Sequence, residues 1–80
     1  MHIDYSKQAQ KFLDKQEKDI VKRIIERIEQ LKDDPFRGDV KRLTDTALFR
    51  ARVGDYRIIF TTDNEKIEIV KIEHRSKSYL

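Results

Sequence analysis

The stretch Leu48-Phe49-Arg50-Ala51-Arg52-Val53-Gly54-Asp55-Tyr56-Arg57-Ile58-Ile59-Phe60 decides the fold. Two runs rich in β-branched and aromatic residues flank Gly54-Asp55, which is the pattern of a β-hairpin with a two-residue loop. Such a loop pairs Val53 with Tyr56, Arg52 with Arg57, Ala51 with Ile58 and Phe49 with Phe60. Side chains alternate faces along a strand. Phe49, Ala51, Val53, Tyr56, Ile58 and Phe60 therefore share a mostly apolar face, and Arg50, Arg52 and Arg57 share the other. Like charges directly opposite each other destabilise a strand pair. The Arg52–Arg57 pair thus predicts an anionic partner, and the open arginine face predicts an exposed Arg57.

Upstream of this hairpin, Ile20, Val21, Ile24, Ile25, Ile28 and Leu31 recur at spacings of one, three and four. They predict an amphipathic helix with a wide apolar stripe, rimmed by Lys22, Arg23, Glu26, Arg27, Glu29 and Gln30. Asp33-Asp34-Pro35 ends it, because a residue before proline is pushed out of the α region. A shorter helix, Lys7 to about Lys15, carries Ala9, Phe12 and Leu13 on one stripe, with Ser6 as its N-cap. Lys15–Lys18 connects the two helices. Ahead of them, Met1–Tyr5 reads as an edge strand with Ile3 and Tyr5 on one face. Phe36–Asp39 turns around Gly38, and Val40–Leu43 is a short extended piece.

Downstream, Asp63-Asn64 signals a second turn, followed by a strand from Glu65 to about Glu73. Its alternation slips: Ile67 and Ile69 lie on one face, Val70 and Ile72 on the other. Burial on both faces or a bulge near Ile69–Val70 accounts for this. His74-Arg75-Ser76-Lys77-Ser78-Tyr79-Leu80 follows as a polar tail. Helices followed by a run of strands indicate an α+β class. The expected architecture is an N-terminal helical hairpin packed on one face of a small, largely antiparallel twisted β-sheet, in a single domain over residues 1–80.

Composition narrows the function. Without cysteine there is no disulfide framework, thiolate metal site or cysteine nucleophile, and His2 and His74 are too few for a histidine cluster. No apolar run approaches the roughly 20 residues that span a bilayer, and the N-terminus lacks a signal peptide's apolar core. These readings imply a soluble cytoplasmic protein. Gly38 and Gly54 cannot build a phosphate-binding glycine loop. The net charge is only +3, but Arg37 to Arg57 holds six Lys/Arg against three Asp. Clustered guanidiniums, always charged and bidentate, suit phosphate. A basic field of this kind favours nucleic acid or an acidic protein segment.

The hairpin motif, the Tyr-Ser opening, the helical hairpin ending in Asp-Asp-Pro, Lys41-Arg42-Leu43 and the closing His74-Arg75…Tyr79 together resemble the RelE/ParE superfamily of type II toxin–antitoxin toxins, RelE-like branch. The resemblance implies a RelE-like fold and a ribosome-dependent endoribonuclease that cuts mRNA in the ribosomal A site. The chemistry it implies is metal- and cofactor-independent attack of the ribose 2′-hydroxyl on the adjacent phosphate. It implies Arg50, Arg52, Arg57, Arg75 and Tyr79 as catalytic residues, and Lys41, Arg42, His74 and Lys77 as RNA contacts. The implied partners are a cognate antitoxin, the ribosome and mRNA. The alternatives are a ParE-like inhibitor of DNA gyrase and a non-catalytic RNA- or partner-binding module. The chain departs from the family in two ways. Arginine stands at Arg50 or Arg52 where lysine is common, which leaves Tyr79 and His74 as the titratable candidates. Glu73 replaces the glycine before His74, where it is expected to pair with Arg75 or His74, or to weaken RNA binding locally.

Overall fold

Gly54 has φ +57° and makes the sharp turn that the hairpin requires. On either side of it, β3 (Phe49–Val53) and β4 (Tyr56–Thr62) pair in the expected register, including Arg52 opposite Arg57. The structure is a computed structural model that describes residues 2–77, with side chains through Ser76. Around the hairpin lie β1 (His2–Tyr5), α1 (Lys7–Asp14), α2 (Lys18–Asp33), β2 (Val40–Arg42), β5 (Lys66–His74) and a 3-10 turn, Arg75–Lys77. The sheet order is β1-β5-β4-β3-β2, with β1 parallel to β5 and every other pair antiparallel. The chain leaves the sheet at one edge and returns through the two helices to the other. The helices therefore cover one face. Among the described residues no helix is long and apolar enough to cross a membrane.

The two helices are set by their caps. Ser6 Oγ accepts the Ala9 N–H at 3.1 Å, which starts α1. Asp34 ends α2 in an extended conformation, φ −150°, as the following proline demands. From α2, Ile24, Ile28 and Leu31 are fully buried, and from α1, Ala9. They meet Ala51, Ile58, Phe60, Ile67, Ile69 and Ile72 of the sheet. A ladder of rings, Phe36 to Phe49 at 5.2 Å and Phe49 to Phe60 at 5.7 Å, closes one end of the core. The β4–β5 turn is held by Asp63, whose carboxylate accepts the N–H groups of Glu65 (2.8 Å) and Lys66 (2.9 Å). Those bonds hold its pKa below the ordinary carboxylate value.

The slip in the last strand is a bulge. Phe60 pairs with Ile69 and Ile59 with Lys71, so Val70 is the extra residue. Ile67, Ile69 and Ile72 thereby all face the helices and are fully buried. Ser6 pins the bulge: its N–H donates to Ile69 O (2.9 Å) and its Oγ to Val70 O (2.6 Å). Beyond the end of β1, the Gln8 amide acts as one more strand unit. Its Nε2 donates to Ile72 O (3.1 Å), and its Oε1 accepts the Ile72 N–H (3.0 Å). This covers an edge that would otherwise present unpaired backbone groups.

Ile28→Ala removes a fully buried side chain at the centre of the helix–sheet contact. Its expected cost is about 2–5 kcal/mol in a denaturant titration. A loss below about 0.5 kcal/mol, the range of an indifferent surface change, would contradict this core.

Candidate nucleic-acid interface

The face away from the helices carries two cationic cross-strand rows, beside a third row of Thr61, Glu68 and Asp4. One row runs Lys41, Arg50, Ile59, Lys71 from β2 to β5, and the next runs Arg52, Arg57, Glu73 from β3 to β5. Strand alternation puts Arg50, Arg52 and Arg57 together, as the hairpin pattern predicts. Arg52 and Lys41 are exposed. The Arg57 side chain is only 23% exposed and lies beside Glu73, so the expectation of an exposed Arg57 is corrected. The Arg50 side chain is 9% exposed; its Nη2 lies 3.4 Å from Asp39 Oδ1. Its buried Nη1 has no hydrogen-bond partner among the described residues.

The anion that the Arg52–Arg57 pair calls for is partly supplied by the chain itself. Glu73 Oε1 lies 4.0 Å from Arg57 Nη1, and Glu73 Oε2 lies 3.2 Å from Lys71 Nζ. Glu73 thus pairs with Arg57 and Lys71, and His74, the next residue, lies on the opposite face. The bulge is the reason: it shifts the parity of β5 so that Lys71 and Glu73 join the arginine face and Ile72 and His74 leave it. His74 lies on the helix side. Its ring meets Tyr56 edge-on at 5.1 Å, and its Nδ1 accepts the Ser76 N–H at 3.2 Å.

The remaining expected residues fall as follows. Arg75 is exposed, and its N–H donates to Asp55 O at 2.6 Å, which anchors the tail at the turn beside Arg52 and Arg57. Arg42 pairs with Phe49, off the arginine face, and its Nε donates to Thr46 O at 3.0 Å to close the loop between β2 and β3. Lys77 contributes its backbone to the 3-10 turn. Tyr79 lies outside the described residues.

One residue that supports the site was hidden in the helix rim. Arg27 is 9% exposed. Its Nε donates to Arg52 O (3.2 Å) and its Nη2 to Arg37 O (2.8 Å). Burial pulls its guanidinium below its ordinary pKa, Asp39 offsets part of this, and Arg37 adds to it. Gly38, at φ +79°, leaves space for it; a Cβ there would lie 3.1 Å from Arg27 Nη2. Arg27 thus ties α2 to the backbone of Arg52 and to the loop that carries Asp39, the partner of Arg50. The signal was its spacing, three residues after Ile24 and four before Leu31, inside the apolar stripe.

This arrangement gives a face rich in guanidiniums on a helix-backed sheet, and comparison with known proteins identifies the fold that carries it. A family model described as the ParE toxin of type II toxin–antitoxin system, parDE, covers residues 3–79. The chain belongs to the ParE toxin family. Among solved structures, the archaeal RelE–RelB complex from Pyrococcus horikoshii contains a chain 30% identical to this one, with a TM-score of 0.80 over 96% of this chain and 97% of that one. The RelB–RelE complex from Methanococcus jannaschii gives 26% identity and a TM-score of 0.77, over 95% and 94%. Isolated RelE from E. coli, 14% identical with a TM-score of 0.78 over 98% and 89%, shares the fold. No curated protein matches the chain. As a member of the ParE toxin family, the chain has two helices and a five-stranded mixed sheet in the arrangement of its RelE neighbours.

Arg27→Met keeps most of the buried aliphatic volume but leaves the Arg52 and Arg37 carbonyls without their donor. Its expected cost is about 1–3 kcal/mol for the groups left unsatisfied, measured by denaturant titration. An unchanged midpoint would show that Arg27 does not hold the loop.

Proposed function

We propose that this ParE-family toxin acts in the RelE manner, as a ribosome-dependent endoribonuclease that cuts mRNA. The observation that carries the reading is the pair of cationic rows on one sheet face, Lys41–Arg50 and Arg52–Arg57, with Arg75 anchored at the adjoining turn. Cleavage by internal transfer needs three things: a held phosphate, stabilised oxyanion charge and proton transfer at two oxygens. The arginines supply the first two. In the proposed step the 2′-oxygen bonds to the adjacent phosphorus as its proton leaves. The bond from phosphorus to the 5′-oxygen breaks, and that oxygen takes a proton. Tyr79 is proposed for proton transfer, since guanidinium holds its proton throughout the working pH range and is a poor acid or base. Lys41 is proposed as an RNA contact at the margin. The proposed partners are the ribosome, mRNA and a cognate antitoxin. RelB and YefM complexes among the solved neighbours support the last of these.

The family description favours a second reading, a ParE-like inhibitor that binds DNA gyrase and cuts no RNA. Glu73, which partly neutralises the arginine face, fits that reading too.

Inducible expression in bacteria, with primer extension on a translated message, separates the two. The RelE reading predicts cuts within codons that vanish when the message is not translated. Arg57→Ala is expected to lower cleavage by about 10²–10³, as for the loss of one oxyanion donor, and Tyr79→Phe by about 10² or more. Growth arrest without cuts would move the function to gyrase. No arrest would leave a binding module.

A further inference from the structure

Glu73 is the acidic side chain of the Arg52–Arg57–Glu73 row and is 17% exposed. One carboxylate oxygen faces Arg57 Nη1 at 4.0 Å and the other faces Lys71 Nζ at 3.2 Å. Two oxygens spanning a guanidinium and an ammonium are the arrangement a phosphate would take there. We propose that Glu73 is a built-in counter-ion that occupies a phosphate seat formed by Arg57 and Lys71, and that an RNA phosphodiester binds this seat by displacing it. The proposal rests on the reading of this face as an RNA site.

The physical argument has two parts. Arg57 stands opposite Arg52, so a negative charge beside it offsets the like-charge cost of that pair. Glu73 supplies it without a ligand. The same carboxylate opposes any anion that approaches. A single phosphate gains little by replacing one anion with another. A phosphodiester chain gains more, because further phosphates reach Arg52 and Lys41, which are exposed. Glu73 therefore selects for extended polyanions over lone phosphates and keeps Arg57 and Lys71 out of weak, non-specific contacts.

The test is binding of a single-stranded oligoribonucleotide to the full chain, followed by fluorescence anisotropy over a series of salt concentrations. Glu73→Gln keeps the shape and removes the charge. It is expected to tighten binding about tenfold at low salt. The slope of log affinity against log salt should steepen by about 0.7 for each further phosphate engaged. Glu65→Gln changes the net charge equally, but from an exposed position at the β4–β5 turn, and should stay within about twofold of the parent. Should Glu73→Gln fail to fold by thermal melt, Glu73→Thr, a good strand former without charge, carries the same expectation. If Glu73→Gln gains no more than Glu65→Gln, net charge alone is at work and the counter-ion is overturned while RNA binding stands. If parent and variants all fail to bind RNA, the counter-ion falls together with the RNA reading.

Discussion

One extra residue in β5 sets the character of the arginine face. Up to Ile69, β5 places Ile67 and Ile69 toward the helices; after Val70 the alternation restarts one residue late. Without that insertion Arg57 would stand opposite Ile72, and Glu73 would turn toward Tyr56 and the core. The bulge keeps Ile72 in the core and delivers Lys71 and Glu73 to the side that carries the arginines. A bulge is a disrupted ladder and needs compensation. Ser6 provides it with two bonds to Ile69 and Val70 while capping α1, and Gln8 extends the repair to Ile72. The first turn of α1 and the electrostatics of the opposite face are thus coupled through the backbone of β5.

On that face, repulsion and attraction alternate across the strands. Arg52 repels Arg57, Glu73 attracts Arg57, and Lys71 shares Glu73. Arg50 is held in a different way, buried beside Asp39 and opposite Ile59. Arg27 supports both from beneath, through the Arg52 carbonyl and the Arg37–Asp39 loop. The Arg50 and Arg57 guanidiniums consequently have acidic partners before any ligand arrives. Pre-positioned charge of this kind is what stabilisation of a developing oxyanion requires.

Much of this was legible in the residues. The Gly54-Asp55 turn determined the hairpin register, since only a two-residue loop pairs the apolar positions on one face. The α2 stripe and Pro35 determined the long helix and its end. Ser6 was legible as a cap, but its second role was not, because the Val70 carbonyl is 64 positions away in the chain. The slipped alternation of β5 announced a bulge or two-sided burial, and packing chose the bulge because it buries Ile67, Ile69 and Ile72 together. The sides taken by Glu73 and His74 follow from that choice, so neither could be read locally. Arg27 was hidden by its charge. An arginine in an apolar stripe reads as rim unless the carbonyls that receive it, those of Arg37 and Arg52, are known to lie within reach.

The parity of β5 is the central claim, and the absence of cysteine allows it to be measured directly. A disulfide forms only when Cα atoms lie within about 7 Å and the Cβ vectors converge. In the double variant Arg57→Cys with Glu73→Cys, mild oxidation should close a disulfide, read by non-reducing gel and mass spectrometry. Arg57→Cys with Ile72→Cys should not close, since those side chains point to opposite faces. Ready closure of the Arg57–Ile72 pair, with none for Arg57–Glu73, would contradict the bulged register and remove Glu73 from the arginine face.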